Sequence, residues 1–226
     1  MALPPAERHP RLADARVYFV CEARPRGAGP EAVLRATLEG GVGMLELREK
    51  LSTDDAALVE AAGPFRDAAE AHGVPLILND RPDLVAECGA DGVHLGQDDV
   101  PVADARRSLG AEYLIGLSTH SAEQISAACS AQPEARPDYI SVGPVWETPT
   151  KSGRPATGLS LIEHATREAT LPWFAIGGIE PSNVGDVVAA GAERIVVVRA
   201  LRDADDPAAA ARALRGAIEA GTEAWR

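Results

Sequence analysis

Cysteine is scarce in this chain: Cys21, Cys88 and Cys129 are the only three among 226 residues. An odd number without metal-ligand spacing argues against a disulfide framework and a zinc site. It reads as reduced, half-buried thiols of a cytosolic protein. Long hydrophobic runs are missing as well, and nothing approaches the roughly 20 apolar residues that span a bilayer. The stretch from Met1 to Arg16 lacks the apolar centre of a secretion signal and reads as a short flexible lead-in. Positive charge is in deficit, with 22 Lys and Arg against 34 Asp and Glu and a formal net charge of −12. Nucleic acid and anionic membranes reward basic surfaces, so neither is expected as a partner. No Ser–His–Asp or Cys–His arrangement is discernible, so covalent nucleophilic catalysis is not expected.

What the chain has is rhythm. Eight short apolar runs begin at Val17, Met44, Leu76, Gly92, Tyr113, Tyr139, Trp173 and Ile195. They are nearly continuous in apolar residues, as expected of parallel strands covered on both faces. Helical segments lie between them. Pro30 precedes Glu31–Leu34 and Gly40-Gly41 follows, which places Pro at the start of a helix and Gly past its end. Ser52–Asp55 opens a helix carrying Leu58, Ala62, Phe65 and Ala69 on one face. Ser121 with Gln124 three residues on resembles a capping box. Pro181–Val184 and Pro207–Ala209 open the last two large helices. Strands alternating with helices imply βαβ units, and eight of them favour a closed (β/α)8 barrel over an open sheet. The expected layout is a lead-in over 1–16 and one TIM-barrel catalytic domain over 17–222.

In such barrels the chemistry sits just past the C-terminal ends of the strands. Residues there include Arg48, Lys50, Asn79, Asp80, Asp99, Ser118 and His120, then Gly177-Gly178, Val198 and Arg199. Asp80 and Asp99 follow adjacent strands and are the metal candidates: Mg2+ on a phosphate substrate takes one or two carboxylates and completes its shell with water and phosphate oxygens. The competing reading is that both cap the helices that follow. Asp98 reads as a solvent-facing or capping residue. Arg48 and Lys50, two apart at the end of the second strand, suit a diphosphate, the first by its planar fork and the second as a point charge. Alternatively they are solvated charges, or paired with Glu49. The segment from Gly143 to Gly158 is irregular and carries Thr148, Thr150 and Lys151, hydroxyls and a cation fit for phosphate, and reads as a lid. Gly177 and Gly178 permit close backbone approach where barrels build phosphate sites. His94 reads as a hydrogen-bonded interior histidine at least as readily as a catalytic one.

Together Glu46–Lys50, Asn79-Asp80, Asp91–Asp99, Gly116–His120, Gly143–Lys151 and Ala175–Ile179 resemble the thiamine-phosphate synthase family, in its order and across most of the barrel. The resemblance implies a reaction. A 4-amino-2-methyl-5-pyrimidinylmethyl diphosphate joins a carboxylated thiazole phosphate, giving thiamine phosphate, diphosphate and CO2. It further implies that Asp80 and Asp99 hold Mg2+. Glu46, Arg48, Lys50, Asn79, Ser118 and Lys151 would serve the pyrimidine diphosphate, with Lys151, Ser118 and Arg48 in catalytic roles. Thr148, Thr150, Gly177, Gly178, Val198 and Arg199 would hold the thiazole phosphate. The expected partners are small phosphorylated molecules, with the oligomeric state open and a homo-oligomer among the options.

The chain departs from the family pattern in places. Glu46 stands where Gln is common, and an ionised Glu cannot donate to a ring nitrogen. Cys21-Glu22 replaces a frequent Thr-Asp, and Arg199 replaces a frequent serine, adding a charge to the phosphate site or pointing away. The rivals are a thiazole tautomerase on the same barrel, a non-catalytic ligand-binding paralogue, and a phosphate-binding isomerase of amino-acid biosynthesis. Arg48, Lys50, Asp80, Asp99 and Lys151 together favour the synthase, because a tautomerase needs neither Mg2+ nor a grip on diphosphate.

Overall fold

The computed structural model describes residues 10–50, 54–148 and 155–224. Eight parallel strands close into a barrel in sequence order, β1 to β8. They are β1 Val17–Cys21, β2 Met44–Leu47, β3 Leu76–Asn79, β4 Gly92–Leu95, β5 Leu114–Thr119, β6 Tyr139–Val142, β7 Trp173–Ile176 and β8 Ile195–Val197. Closure is direct, with Val17 opposite Ile195 and Phe19 opposite Val197. All eight strands coincide with the apolar runs to within one or two residues.

Helices cover the outside. The helix Asp55–His72 begins on Asp54, whose carboxylate accepts from the Ala56 N–H, and ends on Gly73 in the left-handed conformation. Its buried residues are Leu58, Ala62, Phe65 and Ala69, the face expected from the spacing. At the helix Ala122–Ser130, Ser121 Oγ accepts from Gln124 N as anticipated. The return half of the capping box is displaced by one residue, because Gln124 Oε1 accepts from His120 N. The last two of the expected helices are Val184–Ala189 and Pro207–Ala224, the latter ending two residues beyond the expected limit of the barrel.

The lead-in differs from expectation where it is described. Pro10–Asp14 is helical, and Leu12 and Ala15 are buried against Tyr18, Met44, Ile77 and Leu114 inside the barrel. An open barrel end would leave that interior wet. Burying Leu12 there gains the usual ~2 kcal/mol of a large aliphatic side chain.

Alternate strand residues must point inward. The lower interior is filled by Tyr18, Tyr139 and Phe174, three rings packed edge to face with centroids 5.5 to 6.1 Å apart. Tyr139 fits because its neighbour in register on β5 is Gly116. A Cβ at Gly116 would lie 2.2 Å from Tyr139 Cζ and 2.5 Å from His94 Nδ1. Gly116→Ala is therefore expected to cost about 1–3 kcal/mol through overpacking. Thermal unfolding should show a Tm lowered by several degrees, and an unchanged Tm would contradict this packing.

Candidate active site

Above the aromatic trio the interior opens into a cavity of about 660 Å3 at the C-terminal ends of the strands. Its walls include Glu46, Arg48, Lys50, Asn79, Asp80, Asp99, Ser118 and His120 from β2 to β5, and Thr148, Gly177, Gly178, Val198 and Arg199 from β6 to β8. Every site residue expected from the sequence and lying among the described residues thus faces one space. Thr150 and Lys151 fall outside the described residues.

On one wall charge is concentrated. Lys50 Nζ is 2.7 Å from Asp80 Oδ2, so Lys50 pairs across to β3. Asn79 Nδ2 donates to the other Asp80 oxygen at 2.6 Å. Asp80 has a φ of 63°, a left-handed conformation rare outside glycine but tolerated by Asp. Its N–H donates to His94 O at 2.9 Å, which ties the end of β3 to β4. Burial pushes the Asp80 carboxyl above the ordinary carboxylate range. Lys50 opposes that shift, and a hydrogen bond shared with Asp99 adds to it. Asp99 accepts from Gly96 N at 2.7 Å. Neither aspartate is the cap of a helix: the next helix after Asp99 is Val102–Leu109 with Pro101 at its cap, and Arg81 precedes the short turn Pro82–Leu84. Asp98 is exposed at the rim.

Two carboxylates in hydrogen-bonding reach repel once both are ionised, and a divalent cation between them removes that repulsion. Among the described residues no three His, Cys, Asp or Glu side chains cluster as metal ligands. A pair of carboxylates suits Mg2+ that draws its remaining ligands from phosphate and water, and suits zinc poorly.

The opposite wall is largely backbone. Gly177 and Gly178 have φ of 107° and 69°, and a Cβ at Gly177 would lie 2.5 Å from Pro144 Cβ. Val145 N and Trp146 N donate to Ile176 O and Gly177 O, joining the loop after β6 to the loop after β7. Thr157 donates to Pro144 O through both its N–H and its hydroxyl, which anchors the far end of that loop. Thr148, Val198 and Arg199 complete this wall, with Arg199 exposed.

A chain of buried polar groups forms the floor. Tyr18 donates to Glu46 Oε2, and the Tyr18 and Tyr139 hydroxyls are 3.2 Å apart. Tyr139 OH is 3.3 Å from His94 Nδ1, and His94 Nε2 is 3.0 Å from Ser118 Oγ and 3.4 Å from Ser141 Oγ. His94 is therefore a hydrogen-bonded interior histidine that also faces the cavity. Tyr18, Tyr139 and Ser141 were not among the expected site residues, because tyrosine within an apolar run reads as core. The available signal was Gly116, since a glycine inside a strand marks close approach of a neighbour. His120, nearer the mouth, is 2.6 Å from Gly143 O through Nδ1.

The model of the family described as thiamine monophosphate synthase matches residues 17–201. The chain belongs to that family. It is 46% identical to the thiamine-phosphate synthase of Arthrobacter sp. (strain FB24), over 93% of this chain and 97% of that one. To the thiamine-phosphate synthase of Acidothermus cellulolyticus it is 47% identical, over 88% of this chain and 93% of that one. Its fold is similar to that of a thiamine phosphate pyrophosphorylase from Pyrococcus furiosus, with a TM-score of 0.81 and 26% identity over 93% of this chain and 98% of that one. It is accordingly an enzyme of the thiamine-phosphate synthase family, a transferase of thiamine biosynthesis.

Cys21 ends β1 beside the mouth, but burial pushes that thiol up to about 12. Burial raises Cys88 too. At pH near 8 a small disulfide reagent should label one thiol quickly, the partly exposed Cys129, and all three only after unfolding. Fast labelling of Cys21 would contradict its placement.

Proposed function

We propose that this chain joins the pyrimidinylmethyl diphosphate to the carboxylated thiazole phosphate, releasing diphosphate and CO2 and yielding thiamine phosphate. The observation that carries the reading is a single cavity with a cation–carboxylate cluster on its β2–β4 wall and glycine backbone with hydroxyls on its β6–β8 wall. Strands three and four lie across an eight-stranded barrel from strands seven and eight. A reactant gripped at each side by its phosphate meets the other in the middle.

Arg48 and Lys50 hold the diphosphate by its oxygens, with Lys151 from the loop after β6 as a third cation. Asp80 and Asp99 are the residues that would hold Mg2+, with Asn79 orienting Asp80. Bound there, Mg2+ supplies charge neutralisation for the departing diphosphate. Carbon–oxygen cleavage leaves positive charge on the pyrimidine methylene, which the electron-rich ring stabilises. Gly177, Gly178, Val198, Arg199, Thr148 and Thr150 hold the thiazole phosphate so that the thiazole nitrogen captures that carbon. The neighbouring carboxylate then leaves as CO2, its bonding electrons stay on the ring carbon, and that carbon takes a proton from solvent. No strong general base is needed, and the floor groups Glu46, Tyr18, Tyr139, His94 and Ser118 are engaged with one another. The Lys50–Asp80–Asp99 cluster supports this reading over the tautomerase, for which it has no task.

Alanine at Asp80 or Lys151 should lower kcat for thiamine phosphate formation by roughly 10²–10³, the usual cost of one electrostatic stabiliser. Tm should change little in either variant; near-normal turnover in both would sink the assignment. Mg2+ and inorganic diphosphate added together should raise the melting temperature, by about 2.7 kcal/mol of added stability at a hundredfold excess over Kd. Either alone should do far less, and Asp80→Ala should abolish the joint effect.

A further inference from the structure

Asp80 and Asp99 are carried by loops of different kinds. The Asp80 loop is held at several points: Asp80 N donates to His94 O on β4 at 2.9 Å, and Asn79 and Lys50 each donate to one of its carboxylate oxygens. Asp99 belongs to the turn that follows β4, which ends at Leu95. Its Oδ2 accepts from Gly96 N at 2.7 Å, so the carboxylate folds back across its own turn. A Cβ at Gly96 would lie 2.8 Å from that same oxygen, so glycine is what leaves the carboxylate room. A turn closed on its own side chain can still swing as a unit. Gln97 supplies the sideways tie. Its Nε2 donates to Ser118 O, in β5, at 2.6 Å. Each carboxylate is thus tied to a carbonyl one strand further round the barrel, Asp80 to β4 and the Asp99 turn to β5.

We propose that Gln97 is a positioning residue of the carboxylate pair: its bond to Ser118 O fixes the turn Gly96–Asp99 against β5, so that Asp99 stands beside Asp80 before a cation arrives. This rests on Asp80 and Asp99 being the residues that would hold Mg2+. Only the NH2 end of an amide donates to a carbonyl, so the bond also sets which way the amide faces. Gln97 is exposed at the mouth and lines the cavity. Water can replace its bond to Ser118 O when the amide is lost, so its removal costs the fold little. What water cannot replace is the direction in which Asp99 points. Two carboxylates must be placed against their own repulsion, and a turn left free to swing would carry Asp99 away from Asp80. Groups that orient a metal's ligands commonly govern affinity by about 10–100-fold without touching the ion.

Two variants separate position from fold. Gln97→Met keeps the length of the side chain and removes the donor. Gly96→Ala keeps Gln97 and pushes on the Asp99 carboxylate. Gly96 lies outside the left-handed region, and the atom it would crowd is the end of a flexible side chain, so the backbone need not strain.

The probe is Mn2+ with inorganic diphosphate, titrated with protein and followed by the enhancement of water-proton relaxation that a bound Mn2+ produces. Gln97→Met and Gly96→Ala should each weaken that binding by about 10–100-fold. Tm and the KM for the thiazole phosphate should stay close to wild type, and kcat should recover at high Mg2+. Wild-type Mn2+ affinity in either folded variant would overturn the proposal. A fall in Tm with equal losses for both substrates would overturn it too, and reduce Gln97 to a structural tie. No enhancement with wild type would overturn the metal reading itself. That failure is distinct from one confined to Gln97, in which wild type binds Mn2+, Asp80→Ala does not, and Gln97→Met matches wild type.

Discussion

Everything at this site depends on where inward side chains go in a closed barrel of eight short strands. Alternate residues of every strand converge on one axis, and the axis has two ends with opposite requirements. Near the N-terminal end the interior is closed off, so bulk must fill it. Tyr18, Tyr139 and Phe174 do so with their rings, and Leu12 and Ala15 close the opening beneath. Nearer the mouth the same tyrosines present hydroxyls, which must be satisfied in a buried setting. They are satisfied by one another, by Glu46 and by His94. The aromatic plug and the polar floor are therefore two halves of the same residues.

The acidic composition acquires a local meaning beside this. A chain of net charge −12 that handles phosphorylated reactants cannot attract them by its overall field. It concentrates Arg48 and Lys50 at the mouth and sets Asp80 and Asp99 beside them. In the proposed reaction that pairing would let carboxylates contribute to phosphate binding through a divalent cation. The left-handed backbone of Asp80 is the local cost of aiming its carboxylate at both Lys50 and Asp99.

Much of this was legible in the residues. Strands emerge as apolar runs because both their faces are covered, and the polar residues just past them fall at the mouth by geometry. The helix faces, the Asp54 and Ser121 caps and the convergence of Asp80 with Asp99 follow from spacing. Other features depend on closure and have no local signature. Tyr18 and Tyr139 meet 121 positions apart, across the barrel from the viewpoint of the chain. Lys50 reaches Asp80 because β2 and β3 are adjacent strands. Leu12 looked like part of a flexible lead-in because one buried leucine in a polar stretch carries no period. The departure at Glu46 was visible in the sequence, but its hydrogen bond from Tyr18 was not, because it depends on β1 and β2 lying side by side.

The measurement closest to the centre of this account is product formation by the purified wild-type chain. It is incubated with the pyrimidine diphosphate, the carboxylated thiazole phosphate and Mg2+, with and without EDTA, and thiamine phosphate is followed. Thiamine phosphate that appears with Mg2+ and stops with EDTA is the predicted result. Conversion of the thiazole carboxylate to its tautomer without any thiamine phosphate would contradict it and assign the barrel to the tautomerase.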